Sequence, residues 1–132
     1  MGEASHAIMR RILAFSAIVE VGAGLALMAL PAVVIAALAG GEVSAACLPL
    51  GRCFGIAILA LGFACWPERQ RAEGGSPGFR GLLTYNTLIA VYLASLGTAG
   101  QWEGRFLWPG VALHAVVALS LILAWRGKRR SS

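Results

Sequence analysis

Four long apolar stretches dominate the chain, at about 12–39, 47–66, 82–100 and 106–125. A helix needs about 20 mostly apolar residues to cross the roughly 30 Å hydrocarbon core of a bilayer, and its backbone must satisfy its own hydrogen bonds there. Each stretch meets that length, which far exceeds what a core helix of a soluble domain requires. Only 13% of the residues are charged and 58% are apolar, whereas a soluble domain carries about a quarter charged residues. The expected fold is therefore all-α, a four-helix transmembrane bundle built as a single integral membrane domain over residues 1–132. The longest polar stretch between apolar runs is about fifteen residues, which leaves no room for a separate catalytic domain between them.

All four tryptophans fall at expected ends of the stretches, Trp66 and Trp125 on one side and Trp102 and Trp108 on the other. Amphipathic rings favour the headgroup level, so they mark the same boundaries as the apolar runs do. Arg10, Arg11, Arg69, Arg71, Arg80, Arg126, Lys128, Arg129 and Arg130 lie on one side, against Arg52 and Arg105 on the other. That bias orients both termini to the cytoplasm. It also accounts for the net charge of +5 without nucleic acid, since no aromatic platform accompanies the cations. The cationic tail suits anionic lipid headgroups. The first stretch is longer than a signal core of roughly 7 to 15 apolar residues, so it is expected to stay as a span.

The first stretch is expected to tilt or kink at Pro31, and Pro49 and Gly51 to make the outer end of the second irregular. Residues 67–81 read as a flexible cytoplasmic loop with turn chemistry around Gly74 to Gly78. Residues 99–105 read as a tight outer turn that makes an antiparallel hairpin of the last two spans. Ser16, Glu20 and Gly24 share one face of the first span. Gly51, Gly55 and Gly62 share a face of the second, and Gly110, His114 and Ala118 a face of the fourth. Small residues let helix backbones approach in lipid, so each stripe marks a helix contact.

Two of those stripes carry an ionisable residue. Burying such a group costs on the order of 2.5 to 3.5 kcal/mol for Asp, Lys or Arg, so it turns to the bundle interior and finds a partner. At about 1.5 Å of rise per residue from each cytoplasmic boundary, Glu20 lies about 12 Å deep, Arg52 about 21 Å, His114 about 17 Å and Tyr92 about 15 Å. Four polar side chains from four helices are thus expected to meet near the midplane. They form either a neutral cluster in which Arg52 pairs with Glu20, or a pocket open toward the outer leaflet in which Glu20 or His114 exchanges a proton or holds a ligand. Tyr85 and Tyr92, seven residues apart, share a face of the third span. Asn86 stands about 100° from Tyr85, where it can bridge helices or line a cleft for a small lipophile.

No second membrane histidine pairs with His114 for haem, and His6 precedes the apolar run. No metal site or cofactor is expected, and no catalytic residue is assigned, since no nucleophile and base motif, phosphate loop or ligand spacing is present. Cys47 and Cys53 lie toward the outer face, where an oxidising periplasm would permit a disulfide, while Cys65 at the inner end stays reduced.

The runs GIAILALGFACWP (55–67), LTYNTLIAVYLASLG (83–97) and LWPGVALHA (107–115) resemble a group of small bacterial four-span membrane proteins, similar in layout to the DoxX-like class. That resemblance implies a multi-pass inner-membrane protein and carries no activity over. AIVEVGAGLALM (17–28) is similar to the first helix of small multidrug resistance transporters, whose membrane glutamate exchanges protons for a cationic substrate. It would place that role on Glu20, although Arg52, His114 and the later spans depart from that family. The sequence thus points to a non-enzymatic accessory subunit or binder of a small lipophilic ligand, within a larger complex or homo-oligomer. Its alternative is a proton-coupled transporter that uses Glu20.

Overall fold

The computed structural model describes residues 2–67 and 75–130, with side chains for 6–67 and 75–127. Among these the chain is all-α. Its helices are α1 (Gly2–Ala29), α2 (Pro31–Ala39), α3 (Cys47–Ala64), α4 (Pro77–Thr98) and α5 (Leu107–Arg130). Three of them hold segments long and apolar enough to cross a membrane, at His6–Ala29, Cys47–Ala64 and Leu107–Gly127. The fourth long helix, α4, has 22 residues, but the consecutive Thr84, Tyr85, Asn86 and Thr87 make it more polar than the others. Large apolar side chains such as Leu50, Phe63, Val91 and Leu123 are exposed on the bundle exterior. Such a surface is compatible with a membrane protein.

The expected first span is two helices. Proline disfavours helical backbone at the residue before it, and Leu30 accordingly sits at φ −132°, ψ 54°. The chain restarts at Pro31, where a missing backbone donor is harmless in a first turn. Pro49 is likewise absorbed in the first turn of α3 rather than making an irregular end. Helix α4 starts five residues before the expected 82. Ser76 caps it by accepting from the Phe79 amide at 3.2 Å, and Pro77 takes the first helical position. Part of the expected loop, residues 68–74 with Arg69 and Arg71, lies outside the described residues, as do the side chains of Lys128, Arg129 and Arg130.

Helices α1 and α3 pack most extensively and run antiparallel, as do α4 and α5, while α3 and α4 make few contacts. The glycine stripe of α3 meets α1 directly. A Cβ on Gly24 would stand 2.7 Å from the Gly55 carbonyl oxygen, and one on Gly55 would stand 2.8 Å from that of Gly24. The backbones thus touch where any side chain would push them apart. At one end of the bundle, Met9, Leu13, Cys65, Phe79, Leu82, Val117 and Leu121 form a buried apolar cluster, closed by the ring of Trp125 at 6.1 Å from Phe79. The start of α1 and the end of α5 therefore lie at the same end.

At the other end, the segment after α4 docks on the tip of α2. The amides of Glu103, Gly104 and Phe106 donate to the carbonyls of Ala39, Leu38 and Ala37 at 2.9, 3.2 and 2.9 Å. These are carbonyls that a helix end leaves without intrahelical partners. A Cβ on Gly104 would overlap the Ala37 carbonyl oxygen and the Leu38 backbone. The expected tight turn is therefore also a cap for α2. Helix α4 itself ends with Gly100 donating to Gly97 and Gln101 to Leu96, at 3.1 and 3.0 Å, the paired bonds of a Schellman turn.

Cys47 and Cys53 are free and exposed. Six residues apart on one helix, they are separated by about 9 Å of rise, too far for the Cα spacing of about 4.4 to 6.8 Å that a disulfide needs. The continuity of α3 thus rules out the bridge that an oxidising compartment would permit.

Candidate functional site

Ser16, Glu20 and Asn86 are polar side chains sealed inside the bundle, at 0%, 1% and 1% exposure. Ser16 and Glu20 stand one turn apart on the inward face of α1. Asn86 belongs to the inward stripe of α4 with Leu82 and Ala90, so its amide points at α1 and α5. Its Nδ2 donates to Ser16 Oγ at 3.2 Å and to the Leu82 carbonyl at 2.8 Å. Both amide hydrogens are then given away, and Oδ1 must accept. His114 Nδ1 lies 2.8 Å from that oxygen and is therefore the donor, which leaves Nε2 as the acceptor nitrogen of the neutral ring. One asparagine thus joins three helices through a chain of hydrogen bonds.

Tyr85 flanks this chain. Its ring meets the His114 ring edge to face, with centroids 5.8 Å apart, and its hydroxyl is within interaction range of the Glu20 carboxylate. Even so, neither Glu20 oxygen has a formed hydrogen bond. The contacts of α1 with α3 put Glu20 level with Gly62, whose added Cβ would meet Ala17 and Val21. This is a carboxyl group with two unused acceptors, walled by helices, and beside it a linked serine, amide and imidazole. Such a set can hold a proton or accept hydrogen bonds from a donor that enters it.

The structure groups Glu20 and His114 with Tyr85 and Asn86, whereas Arg52 and Tyr92, expected in the midplane cluster, stand apart. Arg52 is exposed and stands 10 residues from Gly62, or about 15 Å along α3, beyond reach of Glu20. Gly51 and Gly55 turn toward α1 and α2, which directs Arg52 outward. Tyr92 is 59% exposed. Both tyrosines flank the inward stripe of α4, but only Tyr85 has a ring from α5 laid against it. Ser16 is the member that sequence reasoning missed, because it read only as a small residue in a contact stripe. Its spacing of four residues from Glu20 was the available signal.

Three cavities, of about 200, 270 and 220 Å³, lie near the end that holds Arg11 and Cys65. None of these three is lined by Glu20, Tyr85, Asn86 or His114. No protein-family model, curated protein or solved structure matches this chain, so the site is read from its own geometry.

Proposed function

We propose that the chain is a multi-pass protein of the bacterial inner membrane that crosses the bilayer four times with both termini in the cytoplasm. It binds a small lipophilic ligand at Glu20, Tyr85, Asn86 and His114, as a non-enzymatic subunit or binder. The unpartnered carboxyl of Glu20 carries this reading. Helix α4 supplies the fourth crossing, since Asn86 faces the bundle interior and Tyr85 is half-buried against His114, which takes part of its polar run out of the lipid. A buried carboxylate without a cation is too costly to persist, so Glu20 accommodates either a proton or the donor group of a ligand. A lipophile carrying a hydroxyl or an amine fits that demand, with Tyr85 and His114 offering aromatic surface beside it. The sparse seam between α3 and α4 is its path from the lipid.

Native mass spectrometry of the protein, extracted from its own membrane in mild detergent, tests this. A retained small molecule, lost in the Glu20→Gln and Asn86→Leu variants, is the expected result. A bare chain whose spectrum those substitutions leave unchanged would overturn it.

The second reading, proton-coupled transport with Glu20 as the exchanging carboxylate, gains from one observation. Arg52 stands too far away to neutralise Glu20 or repel a cationic substrate. Proton-driven efflux from vesicles that is abolished by Glu20→Gln would establish this reading, and an unchanged rate would exclude it.

A further inference from the structure

Arg11 lies at the mouth of a groove between α1 and α5. One cavity, of about 220 Å³, is lined by Arg11, Ile12, Phe15, Val116, Val117 and Ser120. A second, of about 270 Å³, is lined by Arg10, Arg11, Ala14, Trp66 and Pro67. Arg11 thus borders a space beside Trp66 and, on its other side, a largely apolar groove. By helical rise, Phe15 stands about 6 Å further in than Arg11 along α1, and Val116 about 6 Å further in than Ser120 along α5. Cation at the rim, tryptophan at the same level and apolar wall beneath is the order in which a phospholipid presents phosphate, glycerol and acyl chain. Charge agrees with this. Arg10, Arg11, Arg80 and Arg126 are exposed at this end. Glu42 and Glu103 accompany Arg52 and Arg105 at the other end.

We propose that the groove is the seat of one anionic phospholipid, with its phosphate on Arg11 and Arg10 and an acyl chain along Phe15, Val117 and Val116. The proposal rests on the membrane reading and is independent of the polar cluster around Glu20. It implies that this lipid ties α1 to α5 at the end where no loop connects them.

The test uses the whole protein in nanodiscs that contain phosphatidylglycerol and phosphatidylcholine in equal amounts. It is released into the gas phase and its retained lipids are counted. One phosphatidylglycerol is expected to stay bound in preference to phosphatidylcholine. Arg11→Gln is expected to reduce that preference by about fivefold, the effect of one interfacial cation. Val116→Trp, which fills the groove, is expected to remove the retained lipid while the melting temperature shows the chain still folded. Arg105→Gln at the opposite end is the control and is expected to change nothing. Millimolar inorganic phosphate is expected not to displace the lipid, because the acyl chain shares in the binding. Equal retention of both lipids, an unaffected Arg11→Gln, or an equal loss in Arg105→Gln would each overturn the proposal. Loss of the lipid with Glu20 ligand binding intact would separate this site from the other.

Discussion

Asn86 is the residue on which the buried polar chain turns, since it meets Ser16, the Leu82 carbonyl and His114 at once. Hydrogen bonds between membrane helices contribute about 0.6 kcal/mol each, so Asn86→Leu is expected to destabilise by about 2 kcal/mol. Loss of the folded peak in size-exclusion chromatography after heating in mild detergent reads this out. An unchanged melting temperature would mean that the chain of bonds holds nothing together. Glu20 behaves differently because its two oxygens have no formed partner. Glu20→Gln removes the charge and keeps the shape, so its melting temperature is expected at or above that of the parent. Glu20→Lys, which puts a longer cation in the same sealed space, is expected to give little folded protein. A large loss of stability in the glutamine variant would reveal a partner for the carboxylate.

Between helices, the closest approach decides which glycines matter. Gly55→Val drives methyl groups into the Gly24 carbonyl and Leu27 and is expected to cost about 1 to 3 kcal/mol. Gly110→Ala is expected to be neutral, because the nearest atoms to its Cβ are side-chain carbons of Leu93 and Leu38 at 3.7 and 3.8 Å. Paired melting curves separate the two, and equal effects would mean that the α1 and α3 contact is not the tight one. The docking of the segment after α4 on α2 makes a further case. Gly104→Ala is expected to lift that segment off and expose the carbonyls of Ala37, Leu38 and Ala39 to solvent. Faster hydrogen exchange at the amides of Glu103, Gly104 and Phe106 checks this, since those amides lose their acceptors. Unaltered exchange would show that the cap survives a side chain.

For the molecule as a whole, the decisive quantity is which side of the membrane each end faces. On the proposed topology of four crossings with cytoplasmic termini, the start of α3 lies outside. A chain that keeps only Cys47 is therefore expected to react in whole cells with a thiol reagent that cannot cross the membrane, whereas one that keeps only the buried Cys65 is not. Labelling of Cys65 alone would invert the topology, and labelling of neither would bring α3 out of a spanning position.

The sequence alone determined the helical class, the apolar exterior and the three small-residue stripes, because length and period act locally and bilayer thickness sets the scale. It also named Glu20, Asn86, Tyr85 and His114, since a polar group in an apolar run stands out wherever it sits. What it could not settle was rotation and register. Arg52 and Tyr92 lie at plausible depths, yet each stands about 100° from an inward-facing neighbour, Gly51 and Leu93. Whether such a flanking residue is covered depends on which helix passes beside it. Only tertiary structure decided that the ring of His114 covers Tyr85 while Tyr92 remains exposed. The pairing of Ser16 with Asn86 and the capping of α2 by a segment more than sixty residues later are contacts between distant parts of the chain, and no local pattern encodes them.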